Sequence, residues 1–142
     1  MKVIGIDYGE KRIGIATADT EIGIASPWRV YEIKNKVDVV SVVTNVIKET
    51  GANLVIVGLP LNMNGTYGAM TKKVEQFVEE LRKVCNVDIK TWDERLTSME
   101  ADRALSEMSQ SRKQQRKVQD KLAAQLILQN YLDCVRNAQT TP

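Results

Sequence analysis

Three acidic residues fall where their neighbours are apolar. Asp7 closes the run Val3-Ile4-Gly5-Ile6 just ahead of Gly9, Glu94 stands beside Asp93 after Ile89-Lys90-Thr91-Trp92, and Asp120 shares a helical face with Ala123, Ala124 and Ile127. A carboxylate at the end of an apolar strand is poorly solvated unless a cation lies beside it. Each has a plain alternative. Asp7 suits a turn residue accepting backbone hydrogen bonds, Asp93 or Glu94 suits an ion pair with Arg95 or an acidic helix start, and Asp120 suits a surface pair with Arg116 or Lys117, worth about half a kcal/mol. Taken together, the three acids form an oxygen cage of the kind that holds two divalent cations. The chain has no histidine, which removes the commonest general base and every Ser-His or Cys-His hydrolytic arrangement. Cys85 and Cys134 lack zinc spacing, so the expected ions are oxygen-bound magnesium or manganese, and both thiols are expected to be reduced.

The elements that must position these acids follow from hydrophobic periodicity. Val3–Asp7 and Ile13–Ala18 predict two antiparallel strands joined by a tight turn, and Ile22–Ile33 predicts a third strand, bent or broken at Pro27. Val39, Val43, Val46 and Ile47 keep helical spacing up to Gly51, and Asn53–Gly58 reads as a buried strand followed by the loop Leu59–Gly65. A helix is expected at Val74, Phe77, Val78, Leu81 and Cys85, a strand over Val87–Trp92, a helix opening at the capping box Thr97-Ser98-Met99-Glu100, and a long final helix through Val118, Leu122, Leu126 and Tyr131. The order βββαβαβαα predicts an α/β fold, a mixed five-stranded sheet with helices on both faces, the later strands parallel to the first through right-handed crossovers. Sites in such sheets lie beyond the carboxyl ends of the parallel strands. Asp7, the Leu59 loop and Glu94 fall at those ends.

A chain of 142 residues, 43% hydrophobic but only 5% aromatic, can bury one core built from Val, Ile, Leu and Ala. We expect one domain over residues 1–137 and a loose tail over 138–142. The N-terminus runs directly into an apolar strand without a secretory pattern, and Val39–Ile47, interrupted by Ser41, Thr44 and Asn45, falls short of a bilayer span. The expectation is a cytoplasmic protein with no membrane partner. A net charge of +2 is uninformative, but Arg112, Lys113, Arg116, Lys117 and Lys121 crowd one segment. That run suits either a solvated helix face or phosphate contacts.

Read in order, Ile6-Asp7-Tyr8-Gly9-Glu10-Lys11-Arg12-Ile13-Gly14-Ile15-Ala16, Gly58-Leu59-Pro60-Leu61-Asn62-Met63-Asn64-Gly65, Asp93-Glu94-Arg95-Leu96-Thr97 and the segment Lys121–Gln129 after Asp120 resemble the motifs of the YqgF family. The resemblance covers nearly the whole chain. It implies an RNase H-like fold and a nuclease that matures the 5′ end of precursor 16S ribosomal RNA, with Holliday-junction resolution as the second activity assigned to the family. It places the three metal-binding, catalytic acids on Asp7, Glu94 and Asp120. In the wider superfamily the second acid often ends the fourth strand, which here reads Gly58-Leu59-Pro60, so Glu94 must reach in from the neighbouring strand.

Phosphodiester hydrolysis spreads negative charge over attacking, bridging and non-bridging oxygens, and two magnesium or manganese ions about 4 Å apart stabilise it. Asp7 would bridge both ions, and Glu94 and Asp120 would complete one each. Lys11, Arg12 and Arg95 are candidates for holding phosphates. Gly9, Asn64 and Gly65 would meet the substrate strand through the turn and loop backbone, and Arg112, Lys113, Arg116 and Lys117 lie on the approach to Asp120. Two rivals remain. A nucleotide-binding lobe of the actin, Hsp70 and sugar-kinase type also begins with a strand-Asp-x-Gly hairpin, but such proteins clamp nucleotide between two lobes. A catalytically inert RNA-binding module would use the basic segment alone, and strand-end carboxylates would hinder it. With no apolar stripe to spare, the sequence favours a monomer acting on precursor ribosomal RNA. A two-fold dimer cutting branched DNA is the second reading.

Overall fold

Strands rich in β-branched residues pair edge to edge and bury both faces under helices, which decides the layering of the molecule. The computed structural model describes residues 1–34, 36–94 and 112–140, with backbone alone at 36–38, 112–121 and 137–140. Strands β1 (Lys2–Tyr8), β2 (Arg12–Asp19), β3 (Ser26–Glu32), β4 (Leu54–Leu59) and β5 (Asp88–Asp93) form one sheet in the order β3-β2-β1-β4-β5. The first three form an antiparallel meander, and β4 and β5 run parallel to β1. This is the mixed sheet expected from the sequence.

Helices α1 (Lys36–Thr50) and α2 (Ala69–Val84) cover one face, packing Val43, Val46, Phe77 and Leu81 on Ile4, Ile6, Val55 and Val57. The long helix α3 (Arg112–Thr140) covers the other, where Ala124, Ile127 and Leu128 meet Val3, Ala16 and Ile56. Small residues bring α3 close. A Cβ on Gly5 would lie 2.7 Å from Leu128 Cβ and 3.1 Å from the Ala124 carbonyl oxygen. Polar contacts fix its register: Gln125 Nε2 donates to the Ala25 carbonyl (3.0 Å), Arg136 to the Gly23 carbonyl (2.8 Å), and Trp92 Nε1 to Asn130 Oδ1 (2.8 Å).

Several boundaries differ from expectation for local reasons. The third strand starts at Ser26 rather than Ile22, because the amides of Ile22 and Gly23 both donate to the Asp19 carbonyl and Gly23 turns at φ +77°. Pro27 is accommodated on this edge strand, where the register slips between Ile15 and Ala16 and Trp28 becomes the extra residue. Helix α2 begins at Ala69, ahead of its apolar stripe, with Thr71 Oγ1 accepting the Gly68 amide (3.1 Å). Helix α1 stops as predicted, at Gly51 with φ +71°. Helix α3 continues through Thr140, past the end of its apolar pattern. The helix expected from Thr97 lies outside the described residues. Among the described residues no helix is long and apolar enough to cross a membrane.

Candidate active site

Strand alternation determines which way Asp7 faces. Val3 belongs to the core under α3, whereas Ile4 and Ile6 belong to the opposite one, so Gly5 and Asp7 lie on the α3 side. Ile6 is level with Val57 on β4, which sets Gly58 beside Asp7. Glu94 follows the last residue of β5, and its amide donates to the Leu59 carbonyl at 3.3 Å, tying it to the end of β4. Its Oε2 stands in the space that a Cβ on Gly58 would take, with Ile127 Cδ1 2.5 Å from the same point. The missing side chain at Gly58 is therefore what makes room for Glu94. Burial, then the negative charges of Asp7 and Asp93, push the Glu94 carboxyl up to about 7. Asp93 is exposed and shares the phase of Ile89, the opposite side of the sheet from Glu94.

Asp120 lies on α3, with its side chain outside the described residues. Arg136 and Gln129 reach Gly23, just past the end of β2 that pairs with Lys2, so α3 runs antiparallel to β1. Helix position 120 precedes Ala124 by four residues, about 6 Å along the axis, while Asp7 lies two residues, about 6.6 Å, beyond Gly5. The backbone thus carries position 120 towards the Asp7 end. Among the described residues no three metal-ligating side chains converge; Asp7 and Glu94 are the two acids brought together there.

An open cleft of about 430 Å³ adjoins Glu94, walled by Gly9, Lys11, Arg12, Pro60 and Met70. The turn that carries the first three is closed by a hydrogen bond from the Gly9 amide to the Arg12 carbonyl (2.9 Å), and an ion pair of Glu10 with Lys73 fastens it to α2. A Cβ on Gly9 would lie 2.7 Å from that same carbonyl, so the turn requires glycine. Asn64 and Gly65 lie in the exposed loop beyond β4. The Gly65 amide donates to the Asn62 carbonyl (2.8 Å), and Asn64 Oδ1 accepts from the Thr66 amide (3.1 Å) and hydroxyl (2.6 Å), so both residues serve their own loop. Arg95 lies outside the described residues, as do the side chains of Arg112, Lys113, Arg116 and Lys117, whose backbone forms the first turns of α3. Sequence reasoning missed Gly58, Pro60 and Met70. A glycine ending a buried strand was the available signal for the first. A larger hollow of about 490 Å³, beside Lys2, Thr17 and Glu49, lies at the opposite end of the sheet from the acids.

Comparison with known proteins fits this geometry. The profile of the RuvX family, described as Holliday junction resolvase, matches residues 1–134. A protein of Caldanaerobacter subterraneus subsp. tengcongensis named "Putative pre-16S rRNA nuclease" is 42% identical over 139 residues, covering 97% of this chain and 100% of its own. One of the same name from Thermoanaerobacter pseudethanolicus is 43% identical over 138 residues, covering 96% and 99%. Among solved structures, T. thermophilus RuvC in complex with a Holliday junction substrate superposes with a TM-score of 0.60 at 14% identity, covering 96% of each chain. Fowlpox virus resolvase with Holliday junction DNA gives 0.60 at 11% identity, covering 95% of this chain and 99% of its own. At such identities these two establish the fold, the RNase H-like one expected from the motifs.

Proposed function

This chain belongs to the RuvX (YqgF) family, and from that premise we propose that it is a metal-dependent endonuclease maturing the 5′ end of precursor 16S ribosomal RNA in the cytoplasm. The observation that carries the proposal is the placement of Glu94 over Gly58, beside Asp7, at the carboxyl ends of parallel strands. Two carboxylates crowded in a desolvated niche, one of them pushed up to about 7 by burial and by the other's charge, have the electrostatics of a site that calls for a cation. An all-oxygen donor set fits magnesium or manganese. Asp7, Glu94 and Asp120 would hold the metal, two ions in all, which when bound supplies positive charge to the scissile phosphate and acidifies a water.

The chain's own residues do the rest. Lys11 and Arg12, on the cleft wall, meet phosphate oxygens of the incoming strand, Lys11 as a point charge and Arg12 as a fork. Pro60 and Met70 line the same cleft beside Glu94. Arg95, Arg112, Lys113, Arg116 and Lys117 are further candidates for phosphate contacts. The second reading, resolution of four-way DNA junctions, is favoured by the family's description; it needs a two-fold dimer that presents two sites to one junction.

The test is cleavage of a precursor 16S fragment and of a four-way junction at matched salt with magnesium or manganese, alongside mass by light scattering. We expect a monomer that cuts the RNA. A stable dimer making paired cuts in the junction while leaving the RNA intact would replace the first reading by the second, and full activity in excess EDTA would end both.

A further inference from the structure

The loop between β4 and α2 is built as a rigid object although it lies almost wholly outside the core. Residues 62–67 are all exposed. Leu61 nonetheless pairs with Tyr67 across an antiparallel bridge, the Asn62 amide donates to the Thr66 carbonyl (2.9 Å), and Asn62 Nδ2 donates to Thr66 Oγ1 (3.0 Å). Gly65 supplies the left-handed turn at φ +82°. At its base the Thr71 hydroxyl donates to the Pro60 carbonyl and accepts the Gly68 amide, locking the two ends together. Those ends flank the catalytic cleft, since Pro60 and Met70 line it with Glu94.

Its chemistry is as particular as its stiffness. No charged residue lies between Pro60 and Thr71, in a chain that is 27% charged. The side chains of Asn62 and Asn64 are engaged within the loop. What the loop presents instead is Tyr67, 54% exposed, and Met63, 82% exposed. Phosphate binding calls for cations, and base-edge readout calls for available amides; an aromatic face with an apolar neighbour suits stacking, which tolerates any base. Single exposed apolar residues need no explanation, but two on one braced loop whose base lines a cleft together with Lys11 and Arg12 do. Because the loop is already ordered, little conformational freedom is given up when it engages a partner.

We propose that Leu61–Tyr67 is a platform for an unpaired base of the substrate strand, with the Tyr67 ring as the stacking face and Met63 packing beside it. The proposal rests on the nuclease reading above and adds a requirement to it: the substrate offers an unstacked nucleotide near the cut, so a continuous duplex is a poor ligand for this loop.

The experiment measures binding of a short fluorescein-labelled single-stranded RNA, and of the same sequence as a duplex, by anisotropy. It uses the full chain carrying Asp7→Asn to prevent cleavage, with folding checked by circular dichroism. Adding Tyr67→Ala is expected to weaken single-strand binding on the order of tenfold or more, Tyr67→Phe to stay within about twofold, and Met63→Ala to fall between them. Duplex affinity and the salt dependence of binding should not move, since these substitutions remove no cation. Unchanged single-strand affinity for Tyr67→Ala overturns the platform, as does a loss for Tyr67→Phe equal to that for Tyr67→Ala or an equal loss on duplex. Failure of the Asp7→Asn protein and of the wild type in calcium to bind either probe would overturn the nuclease reading itself.

Discussion

Replacing Glu94 by glutamine keeps the side chain's shape over Gly58 and removes only its charge, so it isolates the electrostatic state of the site. An unperturbed glutamate titrates at 4.5, and this one is pushed up to about 7 by burial, Asp7 and Asp93. At about 1.4 kcal/mol for each tenfold change in proton affinity, holding the ionised form in the metal-free fold costs about 3 kcal/mol. The sign is that of a raised acid: the cost is absent below pH 4.5, grows between 4.5 and 7, and is complete above about pH 8. Wild-type protein in EDTA should therefore lose stability across that window, while Glu94→Gln should not. At pH 8 the variant should be more stable by about 3 kcal/mol, or roughly 6 to 12 °C in Tm. Thermal and urea unfolding in EDTA at pH 5 and pH 8 measures both. The same variant should lose metal-supported cleavage by at least about a hundredfold, and Asp93→Asn, on the exposed opposite side of β5, should lose far less. Glu94→Gln no more stable than wild type at pH 8, or a wild-type protein whose stability stays flat from pH 5 to pH 8, would refute the reasoning.

Other outcomes follow from the same geometry. Gly5→Ala places a methyl 2.7 Å from Leu128 Cβ, so it should cost about 1 to 3 kcal/mol in urea unfolding and reduce cleavage further by lifting α3, and with it position 120, off β1. Because Glu94 must give up its proton to bind a cation, apparent manganese affinity measured by calorimetry should rise with pH up to about 7, with proton release detectable in buffers of different ionisation enthalpy. Neutralising Arg112, Lys113, Arg116 and Lys117 together should weaken RNA binding irrespective of sequence and flatten the salt dependence by roughly 0.7 to 0.9 of slope for each phosphate no longer neutralised. An unaltered slope would make that segment a solvated helix face.

Periodicity and apolar runs marked the strands and the two helices of one face, because burial demands a period of two in half-buried strands and 3.6 in helices wherever a face meets a core, and the order of those elements with right-handed crossovers placed β4 and β5 parallel to β1. It also marked Asp7 and the Asp93-Glu94 pair as acids at strand ends, which is a property of position within a run. Choosing between Asp93 and Glu94 as the neighbour of Asp7 was beyond it, since that depends on which face of β5 meets α3, and the phase is visible only once Ile89 and Trp92 have found opposite cores. The same holds for Gly58, whose missing side chain has meaning only when Glu94 Oε2 is seen to fill the space. Turn residues such as Asn64 and Gly65 look alike in sequence whether their hydrogen bonds stay within the loop or not, and only the folded loop shows the Gly65 amide and the Asn64 side chain bonded within it. Ile22 was read into β3 because it continues an apolar run, but two amides donating to the Asp19 carbonyl turn the chain there instead. Local sequence sets which residues can be buried. Which face they share, and how close an acid comes to its neighbour, is decided by distant segments packing on them.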